Sequence, residues 1–400
     1  MIMWIAIIFG SIATVLSIPL MVIAIELFIT FRNKRPMLQS NNAELNKAKY
    51  KILMPAHNEQ GILAKTLSTL IGQGASPADI IVIADNCTDA TAEIARHHSV
   101  TVLERFNDEL RGKGFALDHG ISYLKNKMAP DVLIVLDADC DIDSNSLSLL
   151  VDCCYKNNSP QQALYLMRKN TSDSLSRRIA GFAWLVKNKI RPVAVNKLGL
   201  PVTLTGTGMA FPWHVIKDVN IAHGNIVEDM QLGIDCTLSG FSPVLCQQAI
   251  VYSDFPERAD AGNTQRTRWE HGHLTTIIQQ VPRLLKQSIL RKDWRLLGFA
   301  LDVAVPPLSL LILLSGMGLL LLITYSYITN SYGALSLLLI SVVFFSLMLV
   351  FTWWQYGRDY LTVKELCGIP IYVVSKISVY VTFIFKRQKS WIKTSRKTKD

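Results

Sequence analysis

Val132-Leu133-Ile134-Val135-Leu136-Asp137-Ala138-Asp139-Cys140-Asp141-Ile142-Asp143 joins an unbroken apolar run to four carboxylates within seven residues. An apolar run this short and uninterrupted reads as a strand covered on both faces, as in a parallel sheet. The carboxylates stand at its carboxyl end, where open α/β sheets take their ligands. Like charges this crowded repel one another, and a cation offsets the cost. Hard oxygen donors suit Mg2+ or Mn2+, which one or two carboxylates hold together with diphosphate oxygens. In an extended Asp-x-Asp the two side chains straddle the turn, so of Asp137 and Asp139 one can hold the metal and the other a ribose or a metal-bound water. Asp141 and Asp143 read equally as the start of the next helix. An EF-hand is excluded, because no glycine occupies its sixth position.

Upstream, apolar strands at residues 51–54, 80–84 and 101–103 alternate with amphipathic stretches. This is βαβ patterning, and it predicts an α/β domain with a mostly parallel sheet over residues 50–260. The polar residues after each strand are therefore read together. Pro55-Ala56-His57-Asn58-Glu59 follows the first; its Asn58 and Glu59 sit at a strand tip or cap the next helix. Asp85-Asn86-Cys87-Thr88-Asp89 follows the second. Asp85 can accept the N–H of a nucleotide base, and Asp89 suits an N-cap. Arg111-Gly112-Lys113-Gly114 precedes a helical stretch and offers cations to an anion, or is an ordinary basic loop. It is not a P-loop, since GxxxxGK[ST] is absent.

Three motifs lie downstream. Gly206-Thr207-Gly208 forms a compact turn that lets backbone approach an acceptor sugar. Glu228 and Asp229 open a helical run to Leu238; a carboxylate there serves as general base, or only complements a helix N-terminus. Gln265-Arg266-Thr267-Arg268-Trp269 offers an amide, a phosphate-binding fork and a flat face, or a positive membrane edge with an aromatic anchor.

The flanks are of another kind. Of the 400 residues, 50% are hydrophobic and 18% charged, which excludes disorder as the main state. Residues 1–31 are apolar apart from Glu26, and Arg32, Lys34 and Arg35 follow. That is a retained transmembrane helix rather than a signal peptide, with its basic end in the cytoplasm. A polar linker covers 32–49. Residues 297–328, interrupted only by Asp302 and kinked at Pro306-Pro307, pair with 332–354 as a transmembrane hairpin within 297–354. Residues 283–295, within the 261–296 segment that carries the Gln265–Trp269 motif, read as an interfacial helix. Residues 368–385, within 355–400, do the same, because Pro370, Ser375, Lys376 and Ser378 interrupt them. The net charge is +10, and residues 386–400 carry seven basic side chains against one acid. No zinc-finger, helix-turn-helix or RNA-binding signature accompanies this tail, so it points to membrane lipids and not to nucleic acid. The seven cysteines are scattered, without metal spacing, and read as small buried thiols in a reducing compartment.

In order and spacing, Pro-Ala-His-Asn-Glu, Ala-Asp-Asn-Cys-Thr-Asp, Asp-Ala-Asp, Glu-Asp and Gln-x-x-Arg-Trp resemble the inverting family 2 glycosyltransferases. The resemblance covers residues 50–269. It leans to the membrane branch that holds cellulose, chitin, hyaluronan and poly-N-acetylglucosamine synthases. It implies a GT-A fold and a nucleotide-sugar donor, commonly UDP-linked. Asp85 then matches the aspartate that contacts uracil, within a donor site that also takes in Pro55, His57, Asn58, Glu59, Arg111 and Lys113. Asp137 and Asp139 match the DxD pair, with Asp139 the direct ligand of Mg2+ or Mn2+. Asp229 matches the catalytic base, beside Glu228. Gln265, Arg268 and Trp269 match the motif at the acceptor end and donor diphosphate, with Gly206, Thr207 and Gly208 beside them. Ala84 departs from a further aspartate common in the family, and Asn86 from a glycine. The expected protein is an enzyme of the bacterial inner membrane with a cytoplasmic catalytic domain. Its acceptor is a saccharide, as in exopolysaccharide or envelope glycan synthesis, or a lipid-linked molecule that receives one sugar. The few membrane helices leave room for a partner subunit or homo-oligomer. A non-catalytic scaffold is the rival from another class.

Overall fold

The computed structural model describes residues 2–32, 48–127, 129–170, 173–222, 227–256 and 259–386. Most of the polar linker and the basic tail beyond residue 386 lie outside the described residues. The described residues form two compact units: those within 48–168 and 201–272 in one, those within 2–32, 169–200 and 273–386 in the other.

The first unit is built on an eight-stranded sheet. Its strands are β1 (Tyr50–Ala56), β2 (Ile80–Asp85), β3 (Thr101–Arg105), β4 (Val132–Val135), β5 (Asp141–Ile142), β6 (Gln161–Met167), β7 (Met209–Pro212) and β8 (Val244–Ser253). They lie in the order β3-β2-β1-β4-β7-β6-β8-β5. The pairs β3-β2, β2-β1, β1-β4 and β6-β8 are parallel, while β7 runs antiparallel to both its neighbours and β5 to β8. β2 and β4 are wholly buried, as their uninterrupted apolar sequence requires. On one face, Leu53, Ile83, Leu133 and Val135 pack with Leu117, Ile121 and Leu124 of the helix Lys113–Lys125. Pro55 is tolerated in a central strand for a geometric reason. Pairing of β1 with β4 ends at Leu53↔Val135, and the Leu136 N–H donates to the Leu53 carbonyl. Two residues further on, the proline nitrogen turns to that same side, past the end of β4, where no ladder bond is lost.

The second unit is helical. Among the described residues, four stretches are long and apolar enough to cross a membrane: Met3–Phe31, Leu308–Thr329, Gly333–Gly357 and Val363–Phe385. The expected run 297–328 is not one helix. The helix Trp294–Val303 ends before Pro306-Pro307, and a new helix, Leu308–Thr329, starts after them. Proline lacks the N–H and clashes with the preceding turn, so the pair breaks the helix rather than kinking it. The hairpin link is as expected, with Asn330 in the left-handed region (φ 54°) before the helix Gly333–Thr352. The interfacial candidate at 283–295 is divided: the long helix Ala259–Arg291 stops, Lys292 takes φ 52°, and the Asp293 side chain caps the next helix. Residues 368–385 form two short helices, Ile369–Ser375 and Ile377–Phe385, which meet at Lys376.

Residues 169–200 belong to this helical unit, so the span expected as one domain from 50 to 260 is interrupted. They contribute the helices Leu175–Leu185 and Arg191–Lys197 with a π-turn between them, Val186–Ile190. Arg191 closes a buried charge cluster. Its Nε lies 2.6 Å from Glu26 and an Nη 2.6 Å from Asp302. These are the charges that interrupt the two apolar runs. Nearby, burial, with Lys187 and Arg191 adding to it, drives the His273 imidazole down to about 3 from the usual 6.5. The unfolded chain takes up that proton near pH 6.5 and the folded chain only near 3, so stability falls as pH falls between those values. At pH 5 the cost relative to neutral pH is about 2 kcal/mol. Thermal melts in detergent at pH 7 and pH 5 check this. His273→Gln is expected to reduce the acid loss by about that amount, and an identical loss in the variant refutes the assignment.

Candidate active site

The turn out of β4 is fixed from three sides. The Asp137 N–H donates to Thr207 Oγ1 at 3.0 Å, the Cys140 N–H to the Asp137 carbonyl at 3.1 Å, and Thr66 Oγ1 to the Ala138 carbonyl at 2.8 Å. Asp137, Asp139 and Cys140 bring their ligand atoms within 4.8 Å of one another. The other two carboxylates of the quartet turn elsewhere. Asp141 pairs with Arg168 at 2.6 Å and Lys65 at 3.2 Å, and Asp143 is held through its N–H by the Ile250 carbonyl.

Lys113 reaches across to this turn. Its ammonium pairs with Asp137 and donates to the Gly206 carbonyl at 2.7 Å. Gly206 has φ +91°, and a Cβ there would stand 3.2 Å from Asp229 Oδ2 and 3.7 Å from Lys113 Nζ. The glycine is therefore required twice, by its backbone and by the approach of a carboxylate. Gly208 (φ +62°) is pressed as closely, with Val251 and Ala163 at 2.7 and 3.0 Å from its would-be Cβ. Buried Thr207 lies between them, its carbonyl accepting from Gln162 Nε2 at 2.9 Å. Gln162 also accepts from the Thr205 N–H, so one buried amide clamps the whole turn.

One cation thus serves Asp137, Glu228 and Asp229. Burial works against the Lys113 charge, but these carboxylates hold it protonated above the usual lysine range. Burial and the adjoining Asp229 push Glu228 up to about 7 against the pull of Lys113. Burial, opposed by Lys113 and aided by Asp139, raises Asp137. Asp137 and Asp139 bring hard oxygen donors together at this turn, a pairing that can hold a divalent cation. Burial and the two aspartates raise the Cys140 thiol well above its usual range. A hard cation here meets the carboxylate oxygens of Asp137 and Asp139 rather than sulfur, and the donor set fits Mg2+ or Mn2+.

The β1 and β2 loops are zipped together. His57 Nδ1 lies 2.7 Å from the Asp85 carbonyl, the Asn58 side chain exchanges bonds with Thr88, and the Glu59 N–H donates to Thr91 Oγ1. Asn58 and Asn86 take positive φ, which asparagine tolerates. Asp89, expected as an N-cap, lies one residue before the cap position, which Ala90 takes; it accepts the Thr91 N–H at 3.0 Å and the Gln60 N–H at 3.2 Å. Asp85 is 7% exposed and already bound by Arg105 Nη1 at 2.6 Å, while Arg105 Nη2 donates to the Leu110 carbonyl. Arg105 ties Asp85 to the loop ahead of Lys113. Sequence reading missed it, because nothing in its own sequence surroundings marks a strand-end arginine as a partner of Asp85. Arg111 is not gathered in; it pairs with exposed Asp108.

Gln265, Arg268 and Trp269 are half-buried on the helix Ala259–Arg291. Gly272 on this helix meets Val227, whose Cγ1 would lie 2.7 Å from an added Cβ. Gln265 and Arg268 precede Gly272 by seven and four residues, the spacing of one helix face. That face therefore runs beside the residue immediately before Glu228 and Asp229.

A family model described as "Glycosyltransferase like family 2" matches residues 48–272. The probable glycosyltransferase YdaM of Bacillus subtilis (strain 168) is 24% identical over 269 residues, 65% of this chain and 63% of that protein. The 4,4'-diaponeurosporenoate glycosyltransferase of Staphylococcus aureus (strain USA300) is 30% identical over 107 residues, 27% of this chain and 28% of that one. The matches thus span less than two thirds of these relatives. Among solved structures, a mannosyltransferase from Pyrobaculum calidifontis, in complex with GDP-Man and Mn2+, superposes with a TM-score of 0.56 at 14% identity. It covers 95% of this chain and 100% of that one. That likeness establishes the GT-A type of fold and no more. With its model matched over more than half of the residues, the chain belongs to the Glycosyltransferase like family 2.

Proposed function

We propose that this chain is a membrane-bound inverting glycosyltransferase. It moves a sugar from a nucleoside-diphosphate sugar, UDP-linked, to a saccharide or lipid-linked acceptor in exopolysaccharide or envelope glycan synthesis. The observation that carries this reading is the meeting of Asp137, Lys113, the Gly206 turn and Asp229 at the carboxyl end of β4. Asp139 and Asp137 would hold Mg2+ or Mn2+, which when bound supplies positive charge to the departing diphosphate. Lys113 and Arg268 add fixed charge for the same diphosphate. Asp229 takes the proton from an acceptor hydroxyl, whose oxygen attacks the anomeric carbon from the face opposite the diphosphate. Asp85, held by Arg105, receives the base. The metal bound in the Pyrobaculum structure supports the cation, and the four apolar stretches support a membrane setting, with the catalytic unit in the cytoplasm and the inner membrane as its place.

The test is a panel of nucleotide sugars with detergent-purified protein, read by nucleotide release and product mass. Chelation by EDTA is expected to stop turnover, and Mg2+ or Mn2+ to restore it. Full activity in chelator removes the DxD assignment, and no turnover with any donor favours the scaffold reading. A single addition to a lipid-like acceptor is the second reading, favoured by a relative named for diaponeurosporenoate. A one-sugar product supports it, and a ladder supports polymer growth.

A further inference from the structure

Cys153 and Cys246 are 93 residues apart in sequence, yet their sulfurs stand 3.2 Å from each other. Cys153 is half-buried on the helix Ser146–Asn157, and Cys246 is buried in β8. The β6–β8 ladder breaks at this point. Ala163 pairs with Cys246 and the next residue, Leu164, with Ile250, so residues 247–249 bulge out of register. Bulges re-aim side chains, and this one turns the Gln248 and Ala249 amides toward the Cys246 sulfur.

We infer that Cys153 and Cys246 form a redox-active dithiol, a modification site that a small-molecule disulfide converts into an intrachain bridge. Cys153 is the attacking sulfur. It is the more reachable, and the hydrogen bond from Cys246, against partial burial, holds it below the usual thiol range. Its thiolate attacks one sulfur of the small disulfide, forming a mixed disulfide and releasing one small thiolate. Cys246 then gives up its proton and attacks the Cys153 sulfur, and the second small thiolate leaves. The protein loses two protons and two electrons, and the small disulfide takes them up to become two thiols. Closing from 3.2 Å to a bond length of about 2.0 Å needs a movement of roughly an ångström, within side-chain reach. The bridge pins the bulge to the helix. Beyond the bulge, the Ile250 N–H donates to Ser146 Oγ and its carbonyl accepts from Asp143, which holds the segment following Asp139.

The full chain in detergent is incubated with oxidised glutathione, trapped with N-ethylmaleimide and mapped without reduction. A Cys153–Cys246 peptide is expected, lost on adding dithiothreitol, absent in Cys153→Ser and retained in Cys154→Ser. Because the bridge closes a long loop, the oxidised form is expected to melt about 5 °C higher than the reduced form. Glutathione left unresolved on Cys153, bridging to another cysteine, two free thiols after treatment, or an unraised melting point each overturn the inference.

Discussion

Asp229→Asn is expected to lower sugar transfer by a factor of about 10²–10⁴, the usual weight of a general base, with nucleotide affinity nearly intact. Asparagine keeps the size of the side chain and an oxygen for the Met230 N–H, which Asp229 Oδ1 accepts at 2.8 Å. It cannot take a proton. Binding should survive because the residues assigned to the nucleotide, Asp85, Asp137 and Asp139, are untouched. Glu228 is the competitor for the role, since its carboxyl is pushed up to about 7 beside Asp229. Glu228→Gln separates the two. If Asp229 is the base, this variant retains most of its turnover; if Glu228 is, the losses exchange. Near-normal turnover in Asp229→Asn removes that residue from the role, and a collapse of nucleotide binding makes it part of the donor site instead.

Arg191→Met is expected to destabilise the helical unit by about 3–5 kcal/mol, the range for breaking a buried ion pair by removing one partner. Methionine fills much the same space. What is lost is the compensation for two carboxylates, Glu26 and Asp302, whose side chains are 5% and 10% exposed. Stripped of the guanidinium, each carboxyl must either stay a desolvated charge or take up a proton, and either costs stability. The triple variant Arg191→Met, Glu26→Gln, Asp302→Asn should regain most of the loss, because it removes the charges together. Melts of detergent-purified protein decide it. A single variant within about 1 kcal/mol of the parent shows that the cluster contributes little, as many ion pairs do.

The sequence shows the sheet unit more clearly than the helical one, and the reason lies in the range of the signals. β2 and β4 are contiguous apolar runs whose burial is written in their own residues, and the ligand-bearing tips follow directly. Asp137 and Asp139 are likewise read from local pattern, while Asp229 is set apart from Glu228 only by the family resemblance. Partnerships are different. That Lys113 serves Asp137, or that Arg105 holds Asp85, depends on how strands β2, β3 and β4 lie beside β1, and no spacing along the chain encodes it. Glu26 and Asp302 were each visible as a lone charge in an apolar run, but their shared partner lies 165 and 111 residues away. Residues 169–200 read as part of the α/β domain because their amphipathic pattern resembles that of any covering helix. The proline pair at 306–307 is legible in the sequence as a kink, and in the fold it separates two helices.

The excursion of residues 169–200 into the helical unit bears on any attempt to prepare the sheet unit alone. Trimming the gene at both ends leaves this internal stretch in place. Ile179, Phe182, Leu185 and Ile190, all at most 6% exposed in the whole chain, would then meet water without their covering helices. Such a fragment would clump for reasons unrelated to its sheet, and a soluble preparation would need the excursion cut out as well.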